Sequence, residues 1–188
     1  MPLFDHFDII APIYDRVFKI QGPQNLIGYL NLPISGALLD AGGGTGRVSD
    51  PMRELVSSIV IADLSTEMLR KANAKDGLKT VCSQTEFLPF PDESFERILM
   101  VDALHHVCNH RETSNELWRV LTRGGRIVIE EPNINVFSVK MVALAEKLAL
   151  MRSSFIPPPL IQSLFDYPNA KTRIEIEGYN AWIIIDKT

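Results

Sequence analysis

The chain has 188 residues, the size of one domain, and 46% of them are hydrophobic, enough for a full core. Nineteen basic against twenty-three acidic side chains leave a net charge of −4, and the sequence pI is about 5.6. That balance argues against nucleic acid as a partner, since a general binder shows a basic face, and no apolar run approaches the ~18 residues of a membrane span.

The first residues, Met1-Pro2-Leu3-Phe4-Asp5-His6, lack the basic and apolar regions of a signal peptide, so a cytoplasmic location is expected. Cys82 and Cys108 sit in no C-x-x-C or metal spacing and read as reduced thiols. Residues 3–20 mix aromatic and acidic side chains, and read as one or two short helices interrupted at Pro12. Residues 24–32 read as a further helix stopped by Pro33, so N-terminal helices are expected over about 3–32.

A strand at about 36–40 then ends in Asp40, and four glycines follow at 42, 43, 44 and 46. Glycine has no Cβ and accepts positive φ, so such a turn lets a ligand approach the backbone. Val48, Met52, Leu55 and Val56 then recur at helical spacing, and Pro51 puts the start of the regular helix near Asp50. Strand, glycine turn and helix open a nucleotide-binding βαβ unit. A dinucleotide loop reads G-x-G-x-x-G and holds a pyrophosphate. Here an acid precedes the glycines and would repel that group, which counts against an NAD-dependent reductase. It suits a ligand with positive charge, such as the ammonium and sulfonium of S-adenosylmethionine. The glycine turn by itself is compatible with any nucleotide.

The second strand, Ser58 to Asp63, ends in an acid 23 residues after Asp40, placed to bond ribose hydroxyls. The competing reading of Asp63 is a helix-capping or solvated acid. Ser65 is a good N-cap for the next helix, with Glu67 in its first turn. Strands follow at about 79–82 and 97–101, then a helix at about 111–121 that buries Leu117, Trp118, Val120 and Leu121 and ends at Gly124-Gly125. A fifth strand is expected at 126–131, an apolar helix at about 136–151, an irregular Pro157-Pro158-Pro159, and a terminal hairpin of 172–177 with 181–186. The alternation predicts an α/β three-layer sandwich. Its seven-stranded, mostly parallel sheet has an antiparallel terminal strand. Ligands bind beyond the C-terminal ends of such strands, where Asp40, Asp63, the 83–86 stretch and Asp102 converge.

In order, LLDAGGGTGRVS, IVIADLS, TEFLPFPDESFERILMVDALHHV and ELWRVLTRGGRIVIEEP resemble class I S-adenosylmethionine-dependent methyltransferases. They are most similar to the ubiquinone/menaquinone C-methyltransferase branch (type 11), over about residues 4–132. Phe7, Asp8, Ala11, Tyr14 and Asp15 resemble that branch's N-terminal helix, whose tyrosine lies over the cofactor. The resemblance implies a single Rossmann-like domain over 1–188 that uses S-adenosylmethionine and releases S-adenosylhomocysteine. It implies that Asp40, Ala41 and Gly42, Gly43 and Gly44 hold the methionine portion, that Asp63 bonds the ribose, and that Leu64 and Met68 sandwich the adenine. Thr85, Glu86, Val101 and Asp102 would complete the cofactor site. The family's G-D-A-E is here Ser83-Gln84-Thr85-Glu86, so Gln84 replaces the acid that accepts from the adenine amine and the contact loses its charge assistance. Arg123 replaces a family proline before the double glycine.

Methyl transfer is an in-line displacement, so the protein chiefly aligns the reactants, and a carbon or oxygen acceptor also needs its proton removed. His105 and His106 are the candidate bases, with His106 the closer match to the family; the competing reading gives both a structural role. Asp102, His105, His106 and His110 meet no zinc spacing, so no metal is expected. No Asp-Pro-Pro-Tyr-like motif of base-amino methyltransferases follows strand 4, where Met100-Val101-Asp102-Ala103 stands. Residues about 133–170 fall where this family covers its substrate; Phe137, Met141, Leu144, Leu148, Met151, Phe155 and Phe165 would line a small lid, or pack the crossover onto the sheet. The expected acceptor is a small apolar or aromatic molecule. A non-catalytic cofactor-binding partner or sensor is the alternative, and the sequence is compatible with a monomer or a homodimer.

Overall fold

A computed structural model of the chain describes residues 23–137, 139–141 and 153–188. The expectations for Tyr14, for the helices before residue 23, and for Leu144, Leu148 and Met151 lie outside the described residues. Seven strands form one sheet in the order β3-β2-β1-β4-β5-β7-β6. They are β1 (Ala37–Ala41), β2 (Ser58–Asp63), β3 (Leu78–Cys82), β4 (Phe95–Val101), β5 (Leu121–Pro132), β6 (Ala170–Glu177) and β7 (Asn180–Lys187). β1, β2, β3, β4 and β5 pair in parallel, whereas β7 runs antiparallel to both β5 and β6.

The inner strands are apolar almost throughout because both faces of the sheet are covered. Successive side chains point to opposite faces, so Leu38 and Leu39 enter different cores. On one face, Leu38, Ile59, Ile61, Leu99, Val128 and Ile184 pack under α1 (Pro23–Leu30) and α2 (Thr66–Asn73) through Leu26, Leu30, Leu69 and Ala72. On the other, Leu39, Ile98, Met100, Ile127, Ile129 and Ile183 meet α3 (His110–Val120) and the segment of α4 (Pro158–Ser163) through Leu117, Val120, Ile161 and Phe165.

Two local expectations change. The helix expected after the glycine turn is a six-residue 3-10 helix, Asp50–Leu55, with Pro51 in its first turn and Met52 buried. Proline has no N–H to give, and only two residues separate Leu55 from β2, so there is no room for a regular helix. The double glycine does not end α3. The helix stops at Val120, β5 opens at Leu121, and the pairing jumps from Phe95↔Leu121 to Arg97↔Arg126, which bulges Gly124 (φ +75°) and Gly125 out of register.

Candidate cofactor and active site

The glycine turn leaves the end of β1 and is pinned on both sides. Gly42 N–H donates to the Ala62 carbonyl at 2.7 Å, carrying the β1–β2 pairing one residue further. Gly42 lies at φ +69°, and a Cβ there would stand 2.7 Å from the Ala103 Cβ; one at Gly43 would run into the Asp40 carboxyl. Close approach from two directions therefore dictates glycine at both positions. Gly44 N–H donates to Asp63 Oδ2 at 2.9 Å and Ser65 N–H to Asp63 Oδ1 at 2.8 Å, so Asp63 ties the turn to the tip of β2. Ser65 Oγ accepts from Met68 N–H at 3.2 Å and caps α2, as its sequence position predicts.

Asp40 is 1% exposed, and its Oδ2 has no hydrogen-bond partner among the described residues. Burial pushes its carboxyl up to about 6; the Ser49 hydroxyl pulls it back, the charge of Asp63 adds to the rise, and Arg47 and Lys75 oppose it. An unsatisfied buried carboxylate beside an open glycine turn is costly. A cationic ligand would relieve it, and that is the fit the S-adenosylmethionine reading requires.

Asp40, Ala41, Gly42, Gly43, Gly44, Asp63, Leu64, Gln84, Val101 and Asp102 gather at the C-terminal rim of the parallel strands. Ser83 N–H donates to the Asp63 carbonyl at 3.0 Å, bringing the 83–86 stretch against the β2 tip. Leu64 and Gln84 are exposed there, while Met68 is buried in α2. Thr85 and Glu86 turn inward. Thr85 Oγ1 meets Thr113 Oγ1 at 3.2 Å, and Glu86 Oε1 accepts from Cys108 and Asn109 N–H at 2.7 and 3.1 Å, bracing the entry to α3. Asp102 adopts φ +50°, donates its N–H to the Glu130 carbonyl, and stands 3.8 Å from Arg47.

β5 supplies two acids absent from the sequence expectation. They are adjacent on a buried strand, so they face opposite sides of the sheet. Glu131 Oε2 lies 2.6 Å from His105 Nδ1, and its Oε1 accepts from Ala103 and Leu104 N–H at 3.1 and 2.7 Å. His105 is buried; Phe155 stacks on its ring at 4.2 Å and the half-buried His106 ring stands 4.0 Å from it. Burial pushes the Glu130 carboxyl up to about 8, with Asp102 adding and Arg47 opposing, and the Asn180 amide donates to it. The visible signal was an acid pair ending an apolar strand. Of the lining expected for a lid, Phe137 and Met141 are exposed, whereas Phe165 is buried in the core against the sheet. Among the described residues no group of three metal-ligating side chains is placed to hold an ion.

Comparison with known proteins agrees with this geometry. The family described as a methyltransferase domain matches residues 39–129. A demethylmenaquinone methyltransferase of Clavibacter sepedonicus is 31% identical over 187 residues, covering 94% of this chain and 74% of that protein. The ubiquinone/menaquinone biosynthesis C-methyltransferase UbiE of Hahella chejuensis is 30% identical over 142 residues, covering 66% of this chain and 57% of its own length. The chain thus spans between about half and three quarters of these relatives. A solved S-adenosylmethionine-dependent methyltransferase from Thermotoga maritima shares the fold at TM-score 0.80 with 21% identity, covering 97% of this chain and 98% of that one.

Proposed function

This chain belongs to the class I S-adenosylmethionine-dependent methyltransferases of the UbiE-like type, and from that premise we propose that it methylates a small apolar or aromatic molecule, with His106 taking the acceptor's proton. The methyl donor is S-adenosylmethionine. Bound at the rim, it supplies a methyl group on a positively charged sulfur and leaves as S-adenosylhomocysteine.

The observation that carries this reading is the buried, unpartnered Asp40 oxygen beside the glycine turn. Asp40 meets the ammonium of the methionine tail, Ala41 and the turn from Gly42 to Gly44 give it a backbone floor, and Asp63 accepts from the ribose hydroxyls. Leu64 and Met68 flank the adenine, Gln84 accepts from its amine, and Thr85, Glu86, Val101 and Asp102 frame the remaining edge. Tyr14 is included on the resemblance of its segment alone and lies outside the described residues. Exposed Phe137 and Met141 support an apolar acceptor, and relatives named for demethylmenaquinone support an aromatic one. Free Cys82 and Cys108 support a reducing compartment, and we assign the protein to the cytoplasm. No helix among the described residues is long and apolar enough to cross a membrane.

The test is to compare melting shifts with S-adenosylmethionine, S-adenosylhomocysteine, NAD and NADH, since stabilisation follows occupancy. A shift with the adenosyl-sulfur ligands alone supports the reading. A methyl-release assay over a panel of quinones, phenols and apolar acids then identifies the acceptor; unchanged turnover in His106→Ala removes that residue as the base.

A further inference from the structure

β6 is an outer strand of the sheet, and among the described residues its far side pairs with no other strand. Natural sheets blunt such an edge with a proline, a bulge, a very short strand or charge. β6 has no proline and no bulge. Its eight residues, Ala170–Glu177, keep an unbroken register with β7 from Ala170↔Lys187 to Glu177↔Asn180. Charge is the device that remains, and its order along the strand is specific.

Two bonds at the ends of the hairpin show which backbone groups face outward. Asn133 N–H donates to the Tyr179 carbonyl at 2.7 Å, and Thr188 N–H donates to the Asn169 carbonyl at 2.8 Å. Hydrogen-bonded and non-bonded pairs alternate along an antiparallel ladder. The first bond flanks Pro132↔Asn180, so Asn180 turns its N–H and C=O toward Glu177. The second flanks Ala170↔Lys187 and makes that pair non-bonded. Lys171, Arg173, Glu175 and Glu177 therefore bond to β7, whereas Thr172, Ile174 and Ile176 aim their N–H and C=O away from it.

The side chains of Lys171, Arg173, Glu175 and Glu177 share one face and are exposed. Arg173 approaches Glu175 and Asp186 only at 3.7 and 3.9 Å. Glu177 accepts from Tyr29 and Asn25 at 2.7 and 2.9 Å, which steadies its carboxylate. Two bases followed by two acids are self-complementary about Ile174. A second copy laid antiparallel, with Ile174 opposite Ile174, sets Arg173 against Glu175 and Lys171 against Glu177. It also sets the outward residues against each other, Thr172 against Ile176, so the free N–H and C=O groups bond across the edge. Arg173 and Glu175 then fall in non-bonded pairs, where side chains stand closest. Centring the pairing on Arg173 or Glu175 would oppose that residue to itself. Centring it on Thr172 or Ile176 would set Lys171 against Arg173, or Glu175 against Glu177. Like charges directly opposite are destabilising, so the register about Ile174 is the one that satisfies backbone and charge together.

We propose that β6 is a homodimer interface, in which two copies of this chain pair antiparallel about Ile174 and join their sheets into one.

Sedimentation velocity from about 1 μM to about 1 mM, at low and high salt, would compare the wild type with Arg173→Glu and Glu175→Arg. The wild type should pass from monomer to dimer across that range, and salt should move the transition to higher concentration. Each variant opposes like charges at both copies of the pair and should dimerise at least about tenfold more weakly. Mixing the two variants restores opposite charges in the mixed dimer, so the mixture should associate where neither does alone. Hydrogen exchange should slow at the amides of Thr172, Ile174 and Ile176 as concentration rises. Melting curves should show both variants folded, since the altered side chains are exposed. A wild type that stays monomeric throughout, a dimer that both variants keep, or a mixture no stronger than its components would overturn the proposal.

Discussion

His105 Nδ1 and Glu131 Oε2 meet at 2.6 Å across 26 residues of chain, both buried, while the second oxygen of the same carboxylate accepts two backbone N–H groups from the loop that carries His105. One side chain on β5 therefore fixes the path of the chain leaving β4. Removing it strands buried donors. Glu131→Ala should cost about 3 kcal/mol of stability, and Glu131→Gln, which keeps one accepting oxygen, about 1–2 kcal/mol. Urea unfolding followed by circular dichroism measures both. A change below about 0.5 kcal/mol in the alanine variant would show that the clamp contributes little.

Asp40 makes a prediction about affinity and its dependence on pH. Its carboxyl titrates at about 6 in the folded chain, raised first by burial. The ionised form is the one that attracts an ammonium. S-adenosylhomocysteine should bind about tenfold more weakly at pH 5 than at pH 7, and Asp40→Asn should flatten that dependence. Without ligand the sign reverses. A carboxyl raised above its unfolded value favours folding below about pH 4, and that contribution is lost as pH rises through about 6. At neutral pH the ligand-free Asp40→Asn protein should therefore melt no lower than wild type while binding S-adenosylhomocysteine at least tenfold more weakly. Titration calorimetry across pH 5–8, with melting curves on the same samples, reads both effects.

Glu130 extends the same reasoning to a higher pH window. Its carboxyl is held up at about 8, first by burial and then by Asp102. The stabilising contribution of the protonated form is present below about pH 4.5 and is lost as pH rises through about 8. Glu130→Gln keeps an oxygen for the Asn180 amide and cannot ionise. Relative to wild type, its melting temperature should rise between pH 6 and pH 9 and change little at pH 5. A constant offset across the series would refute the assignment.

Gly43 separates ligand binding from folding. A methyl group there collides with the Asp40 carboxyl, so the turn must shift where the ligand lies against it. Gly43→Ala should lose at least tenfold in S-adenosylhomocysteine affinity, an expectation set by one misplaced charge-assisted contact, while its melting temperature moves by only a few degrees. Unaltered affinity would mean that the ligand does not reach this part of the turn.

Strand positions were legible to within two residues for β1, β2, β3, β4 and β7, because a sheet covered on both faces needs unbroken apolar runs. The place of Asp63 at the tip of β2 and the Ser65 cap were legible too, since a strand end and an N-cap are written within three residues. The short 3-10 helix was not. Val48, Met52 and Leu55 carry a helical period whether or not the segment has space to complete a turn. Gly124-Gly125 misled for a related reason: glycine marks a helix end and a bulge equally well. Trp118, read as part of α3's buried face, packs half-buried against that core and stacks on Tyr167 at 4.5 Å. The Glu131–His105 clamp and the inward turn of Glu86 depend on partners more than 20 residues away, and no local pattern encodes which way those side chains point.

The strand order has a consequence for synthesis. Among the described residues β6 pairs with β7 and with no other strand, and β7 is made after it yet sits inside the sheet, between β5 and β6. While residues 180–187 are still within the ribosome, β6 lacks the strand it pairs with and β5 presents an open flank. The α1 face also lacks Trp182 and Ile184 at that stage. The last third of the sheet must therefore assemble after translation has passed β7, and a nascent chain stalled before Asn180 should recruit chaperones that a released chain escapes.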